Sequence, residues 1–434
     1  MDERFDVIVV GAGPAGLSAA YLLAKAGLKT VVFERGQYPG SKNVMGGILY
    51  TKMMDEVIPE FWREAPLERP IIEQNLWVLN RDSAVKVGHR GDRFTEEPHN
   101  AYTVFRAEFD RWFGTKVEEA GALLITETLV EDLIWDGQRV TGVKVGRDEG
   151  EVFADVVVVA AGVNTLDSLL PNRPQGGRGH RPEQVALAVK EVIQLTEEKV
   201  SDRFNLPSGY GASIELVGEA TAGLTGTAFI YTNRDSLSVG VGGMLSDFVK
   251  ANFNPHELIE RFKSHPVIQP LLEGGEVKEY LAHLIPEGGY NSMPPLYGDG
   301  YVVVGDAGML VNALHREGSN MAMTSGRLAA ETIIEARKKG DFSKRSLKEY
   351  RQRLDQTYVI KDLRKYRNAS RFFEETPALF HVYPEMAAEA AAILLTVDGV
   401  PKREKQGQIW RMMREKRSLW HMLRDLHNAR RSLL

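Results

Sequence analysis

The sequence of 434 residues contains no cysteine. That excludes a disulfide-stapled scaffold, a thiolate nucleophile, and any zinc or iron–sulfur centre ligated by cysteines of this chain. Long apolar runs are missing as well, since none approaches the ~20 residues that a spanning helix needs. The first residues, Asp2, Glu3 and Arg4, lack the charged-then-apolar layout of a signal peptide. These absences predict a cytoplasmic protein that does not cross a membrane. An excess of positive charge is absent too: 54 basic residues stand against 59 acidic ones, a net of −5, which gives nucleic-acid binding no global support.

What is present is an ordinary globular composition, 43% hydrophobic and 26% charged, with a surplus of glycine at 41 residues. The length suits two or three domains. Charge is unevenly spread. Residues 401–434 hold ten Lys and Arg against three acids, a net of +7, which leaves −12 for residues 1–400. An acidic body with a basic end points to an anionic surface or an acidic partner at that end.

The first forty residues read as strand, turn, helix, strand. Phe5 to Val10 is an apolar run suited to a strand buried on both faces. Gly11-x-Gly13-x-x-Gly16 follows, then the helix formers of Leu17 to Ala26, a stop at Gly27 and a second strand from Thr30 to Phe33 that ends at Glu34. This is a dinucleotide fingerprint in its required context. Gly11 makes the turn, Gly13 admits a pyrophosphate, Gly16 lets helix and strand pack closely, and Glu34 is placed to accept ribose hydroxyls.

Further along, Ala107 to Ala120 has helical spacing, with Phe109, Phe113 and Val117 on one face. Leu123–Ile125, Leu129–Ile134 and Val140–Val145 read as strands, the last two joined at Asp136-Gly137. Val152 to Ala161 is a buried strand that ends at Gly162. Pro171 to Pro182 reads as a linker, and residues 212–245 alternate like an antiparallel sheet. Tyr301 to Val304 is a strand delivering Gly305-Asp306, where an acid can reach a ribityl hydroxyl. The run Glu317-Gly318-Ser319-Asn320-Met321 opens a helix whose free N–H groups suit the flavin N1–C2=O edge. From Ser346 onward the pattern is largely helical.

These motifs, with Asp155-Val-Val-Val-Val-Ala-Ala-Gly162, resemble the FAD-bound flavoproteins with two dinucleotide-binding domains. More narrowly, Lys42-Asn43-Val44-Met45-Gly46-Gly47 and Ala282-His-Leu-Ile-Pro286-Glu-Gly-Gly289 resemble the FixC-type electron-transfer-flavoprotein:quinone oxidoreductases. Phe229-Ile-Tyr-Thr232 with Val239-Gly-Val-Gly242 fits the same family. The likeness runs over about residues 5–345.

The resemblance implies an α/β fold: a Rossmann-like FAD-binding domain, an inserted mixed or antiparallel β-sheet cap, and a helical C-terminal region. It assigns residues 1–75, 101–170 and 296–345 to FAD, 76–100 and 171–295 to the quinone, and 346–434 to docking on a membrane or partner. By the same resemblance Gly11, Gly13, Pro14, Ala15, Gly16, Glu34 and Arg35 hold the ADP half of FAD. Gly46 and Gly47 lie against the isoalloxazine, and Leu129 and Val130 turn backbone toward adenine. Arg106 reaches the phosphate–ribityl region, or else simply pairs with Asp110. Ala161, Gly162, Gly305, Asp306, Gly318, Ser319, Asn320 and Met321 complete the cofactor contacts.

The family's fused members carry a cysteine-ligated cluster on a C-terminal domain that this chain lacks. The resemblance therefore implies a separate ferredoxin-like iron–sulfur subunit, the alpha and beta subunits of an electron-transfer flavoprotein, and a membrane quinone as partners. It places the protein on the inner face of the cell membrane. Neither a metal site nor a catalytic acid–base side chain is implied. An FAD-dependent prenyl (geranylgeranyl) reductase or aromatic monooxygenase on the same scaffold stays open, as does a non-redox prenyl- or partner-binding protein. His315 is a candidate donor to flavin or quinone, or else a capping residue. At 100° per residue, Ile409, Met412, Met413, Leu419, Trp420 and Leu423 fall on one stripe, suited equally to lipid and to a partner subunit.

Overall fold

The computed structural model describes residues 4–42, 46–146, 150–163, 169 and 181–433. Asp2, Glu3, the Asn43-Val44-Met45 part of one family motif and residues 171–180 of the expected linker lie outside these. The chain forms two units. The first is Met1–Leu67, Val104–Val185 and Leu284–Arg367; the second is Glu68–Thr103, Ala186–His283 and Asn368–Leu434.

The first unit is built on a sheet ordered Tyr297–Gly298, Tyr301–Val303, Glu151–Val159, Phe5–Val10, Thr30–Phe33, Leu123–Ile125. All neighbours are parallel except the Tyr297–Gly298 edge. Strands buried on both faces must be apolar throughout, and Val7, Ile8, Val9, Val156, Val157, Val158 and Val159 have no exposed surface. The hairpin Val130–Asp136 and Arg139–Val145 continues from Glu151–Val159, and Gly137 takes its turn at φ +59°. The helix Arg106–Glu119 buries Phe109, Phe113 and Val117 completely, as their four-residue spacing predicts.

Two helices of this unit, Pro14–Lys25 and Ser319–Lys339, meet backbone to backbone. A Cβ on Gly326 would lie 2.1 Å from the Ala15 carbonyl oxygen. The shorter helices Lys344–Gln356 and Tyr358–Lys365 follow, and Tyr350 donates its hydroxyl to the Val303 carbonyl at 2.9 Å.

The second unit holds a seven-stranded sheet ordered Glu276–Pro286, Val185–Gln194, Ser236–Met244, Gly226–Thr232, Gly211–Gly218, Ile71–Leu79, Ala84–Arg90. It is mixed: Gly211–Gly218 runs parallel to Ile71–Leu79, whereas Val185–Gln194, Ser236–Met244, Gly226–Thr232 and Gly211–Gly218 pair antiparallel in turn, as do Ile71–Leu79 and Ala84–Arg90. One face carries the core, with Leu79, Ile214, Ile230, Val239 and Val241 packed against Ile259 and Phe262 of the helix Pro255–Lys263. Buried Arg69 ties this unit together, donating to the carbonyls of Tyr210 (2.9 Å), Arg234 (2.7 Å) and Glu197 (3.2 Å).

The C-terminal helices Ala369–Glu375, Ala378–Leu395, Lys402–Lys416 and Leu419–Leu433 belong to the second unit. Among the described residues, Ala378–Leu395 is the one helix long and apolar enough to cross a membrane by length and composition, which no apolar run in the sequence suggested. Pro384, Glu385 and Glu389 interrupt it. Pro384 packs at Gly218 of the sheet, and both glutamates pair with Lys416 at 3.2 and 3.0 Å. The single C-terminal stripe is corrected: the chain leaves the helical path at Arg417 (φ −154°, ψ 128°). Ile409, Met412 and Met413 therefore lie on one helix, and Leu419, Trp420 and Leu423 on the next. Arg417 and Tyr383 both donate to the buried carboxylate of Asp425, which holds the break in place.

Candidate functional site

At the carboxyl end of Phe5–Val10 the chain must turn into a helix with almost no room. Gly11 does so at φ +100°, where a Cβ would lie 2.5 Å from the Ala160 carbonyl oxygen; a Cβ on Gly16 would lie 2.0 Å from the Gly11 carbonyl oxygen. Gly13 differs in kind. Nothing lies within 4 Å of the Cβ it lacks, so its backbone faces open space at the helix start. Pro14 at the first helical position gives up no needed N–H, and the N–H groups that follow, with the helix dipole, suit a phosphate.

Glu34 is locked beside this turn. One carboxylate oxygen accepts the Ala12 N–H at 2.9 Å and the other the Gly36 N–H at 2.7 Å. Each oxygen keeps a lone pair for a ribose hydroxyl. The segment before Val130 lies alongside, with the Thr128 N–H on the Glu34 carbonyl at 2.9 Å. The Leu129 carbonyl accepts the Gly146 N–H at 2.9 Å, which leaves it one lone pair. Val130 is buried and Arg35 is exposed.

A second constellation gathers at the end of Tyr301–Val303. Gly305 (φ +61°) donates its N–H to the Ser325 hydroxyl at 2.9 Å, and a Cβ on it would lie 2.9 Å from Ala15 Cβ. Asp306 is thereby brought to the same end of the sheet as the Gly11–Gly16 turn. It is half-buried, and burial raises its carboxyl above the usual range while the Arg106 guanidinium pulls it back. Gly162 (φ +71°), with Ala161, closes the neighbouring strand end, and nothing lies within 4 Å of the Cβ that Gly162 lacks.

Arg106 makes the ion pair with Asp110 that was one of its two expected roles. Its Nε and Nη2 donate to the two carboxylate oxygens of buried Asp110 at 2.9 and 2.7 Å. Its Nη1 reaches the Ser319 hydroxyl at 3.4 Å, at the start of the helix Ser319–Lys339. Burial lowers the guanidinium pKa, but Asp110 and, at longer range, Asp306 more than offset this, so it stays charged. Asp110 therefore anchors the arginine and leaves one edge for a ligand.

At that helix start, Gly318 is the N-cap residue. Asn320 is 3% exposed and its Oδ1 has no partner in the described structure. Such an orphan acceptor fits a ligand's N–H. Met321 has no exposed surface, so its side chain belongs to the core and only its backbone can serve a cofactor. Gly46 and Gly47 open the strand Gly46–Tyr50, and no atom lies within 4 Å of the Cβ missing at Gly47. His315 is exposed, 5.1 Å between ring centroids from Tyr366, and its backbone N–H donates to Asn312 Oδ1 at 3.3 Å.

Sequence reasoning missed Gly40 and Ser325. A Cβ on Gly40 (φ +88°) would lie 2.7 Å from the Arg106 carbonyl oxygen, so this glycine lets the Pro39-Gly40 turn sit against the arginine's helix. The Pro-Gly pair was the available signal. Among the described residues, no group of three or more His, Cys, Asp or Glu could hold a metal ion. The open backbone at Gly13, Gly47 and Gly162, the oriented Glu34 and the orphan Asn320 Oδ1 together fit FAD.

Comparisons with known proteins agree. Residues 6–165 match the FAD dependent oxidoreductase model and residues 369–434 the ETF-QO/FixC family C-terminal domain. The chain is 47% identical to Protein FixC of Azorhizobium caulinodans, over 98% of both. It is 40% identical to the probable electron transfer flavoprotein-quinone oxidoreductase YdiS of Escherichia coli, over 93% of both. Among solved structures, a geranylgeranyl bacteriochlorophyll reductase-like protein of Thermoplasma acidophilum superposes with a TM-score of 0.73 at 20% identity, covering 96% of this chain and 98% of that one. At that identity the last likeness concerns the fold alone. With a cradle that fits FAD and near-full-length relatives at this level, the chain belongs to the FixC family of FAD-dependent oxidoreductases.

Proposed function

We propose that this protein is the FAD-containing subunit of an electron-transfer-flavoprotein:quinone oxidoreductase complex. It takes electrons from an electron-transfer flavoprotein and passes them, through FAD, to a membrane quinone. The observation that carries this reading is the near-full-length likeness to FixC proteins and to a relative named for that reaction. The absence of cysteine supports a cluster carried by a separate ferredoxin-like subunit.

Bound FAD supplies the redox chemistry. The chain's part is to bind and bias it. The Gly11–Gly16 turn and Glu34 hold the ADP half, and Arg106, fixed by Asp110, sets positive charge beside Asp306. The N-terminus of Ser319–Lys339 favours negative charge at the flavin edge. No side chain of this cradle has to move a proton for electrons to pass.

Attachment to a membrane surface is part of the proposal. Trp410, Leu419, Trp420, Leu423 and Leu426 are exposed on the last two helices, next to Arg411, Arg414, Arg424, Arg430 and Arg431. Exposed Trp and Leu among arginines is the composition that anionic lipid attracts.

The test is a choice of reductant. An electron-transfer flavoprotein reduced by its own donor bleaches the FAD of this protein in the presence of its iron–sulfur partner, whereas NADH or NADPH alone does not. Rapid bleaching by NAD(P)H alone would favour the reductase or monooxygenase reading instead.

A further inference from the structure

The first unit has a second concavity, apart from the FAD cradle. The edge strand Tyr297–Gly298, the hairpin tip at Gly137 and the start of the helix Lys344–Gln356 border an open cleft of about 790 Å³. Tyr301 lines it from the first residue of the strand Tyr301–Val303, whereas Gly305 and Asp306 of the cradle follow that strand's other end.

The walls of the cleft are apolar. Trp135, 37% exposed, meets Tyr301 edge to face at 6.0 Å between ring centroids, and Pro294 and Pro295 stand with them. The Tyr301 ring lies over Gly298, where a Cβ would sit 2.1 Å from its Cε1. Apolar residues scattered singly are ordinary on a surface; gathered around a hollow they mark a binding site.

The rim is cationic. The helices Lys344–Gln356 and Tyr358–Lys365 carry eight Lys and Arg against three acids, a net of +5, although residues 1–400 as a whole stand at −12. Lys344, Lys348 and Arg351 share one stripe at helical spacing, and Lys344 and Arg351 line the cleft itself. Beyond Arg351 the row continues to Arg364. Both guanidiniums approach the Tyr290 ring, at 5.9 and 5.6 Å, and both pair with Asp355, at 3.2 and 3.1 Å.

The acids beside this row are already engaged. Asp299 accepts the Lys344 backbone N–H at 2.7 Å, Asp341 accepts the Ser343 N–H at 2.9 Å, and Asp355 serves the two arginines. Lys344 and Lys348 make no ion pair among the described residues. Tyr290 registers the field that results: hydrogen bonding from Arg364, helped by the charge of both arginines, outweighs burial and pulls its hydroxyl below the usual phenol range.

We propose that this cleft and its row of cations form a docking site for an acidic segment of a partner protein, with an apolar side chain of that segment seated against Trp135 and Tyr301. The inference is independent of the quinone reading above. Charge complementarity sets the sign of the occupant, and shape sets its class. A lipid surface takes apolar groups that stand out from a helix face, whereas these line a hollow. A nucleic acid would be repelled by the negative balance of the rest of residues 1–400. A small anion would engage one or two of the cations, whereas Lys344 to Arg351 alone spans about 10 Å of helix. An apolar anchor in a pocket with a polar, charged rim is the anatomy of a protein interface.

The experiment titrates holoprotein into a short dye-labelled peptide, rich in Asp and Glu with one central Phe, and follows fluorescence anisotropy. The peptide binds, and its affinity falls about tenfold as salt rises from about 0.01 M to about 0.1 M. Lys344→Glu combined with Lys348→Glu lowers affinity about tenfold at the lower salt. Trp135→Ala weakens binding of this peptide but not of one with Ser in place of Phe. All variants keep native flavin content, since none of these residues belongs to the cradle. A peptide that binds native protein and the double variant alike, or neither of them, overturns the proposal. So does a loss of flotation with anionic vesicles in the double variant, which would assign the cations to lipid. Tighter binding of a single-stranded oligonucleotide than of the peptide would overturn it as well.

Discussion

Gly326 offers a test in which two physical effects have opposite signs. In a helix interior, exchanging Gly for Ala stabilises by about 0.8–1.0 kcal/mol, because the unfolded chain loses freedom and the helix gains a better former. At Gly326 that gain meets an obstacle: the new Cβ would lie 2.1 Å from the Ala15 carbonyl oxygen and 2.9 Å from its carbonyl carbon. Backbone cannot rotate away as a side chain can, so the two helices must separate by about 1 Å, since carbon contacts relax near 3.5 Å. Overpacking of that kind costs about 1–3 kcal/mol, which cancels or outweighs the propensity gain. The separation also moves Ser319 away from the Gly11–Gly16 turn, so FAD affinity falls. Gly407, inside the helix Lys402–Lys416 with nothing within 4 Å of the Cβ that alanine would add, is the matched control. Thermal unfolding and flavin content of Gly326→Ala and Gly407→Ala decide the matter. Gly407→Ala should gain stability at unchanged flavin content, and Gly326→Ala should gain no stability and lose flavin. Equal gains in the two variants would refute the backbone-contact argument.

Two further outcomes concern groups outside the cradle. Burial pushes the Glu287 carboxyl up from 4.5 to about 7, so between those pH values the folded chain keeps a proton that the unfolded chain releases. Stability of the apoprotein from this group therefore falls as pH rises through that window; Glu287→Gln should flatten the dependence in urea unfolding, and an unaltered slope would contradict it. Removing residues 401–434 should abolish flotation with anionic liposomes while FAD stays bound, and equal flotation would remove the lipid role of the last two helices.

Much of the cradle was legible because its demands are local. The turn at Gly11–Gly16, the acid at Glu34 and the Gly305-Asp306 pair are each set by a strand end and the few residues after it. Gly326 and Gly40 were not legible in this way, since what each glycine meets lies hundreds or tens of residues away. Four strands of the second sheet, Ile71–Leu79, Ala84–Arg90, Val185–Gln194 and Glu276–Pro286, escaped notice, two of them for a related reason. Val185–Gln194 carries Lys190 and Glu191 at its centre, and Ile71–Leu79 carries Glu73, Gln74 and Asn75, so neither reads as a buried run. The polar side chains are matched by tertiary partners such as Lys263, which periodicity does not register. The C-terminal helices divided where periodicity saw one stripe, because Arg417 and Asp425 pair across the break at eight residues' separation.

The central claim concerns where the electrons go. Photoreduced holoprotein, mixed anaerobically with a water-soluble quinone analogue and followed by flavin absorbance and quinol product, tests it most directly. The account predicts flavin reoxidation with one quinol formed per FAD. Reduced flavin that ignores quinone, yet reacts readily with oxygen in the presence of a prenyl or aromatic substrate, would contradict it.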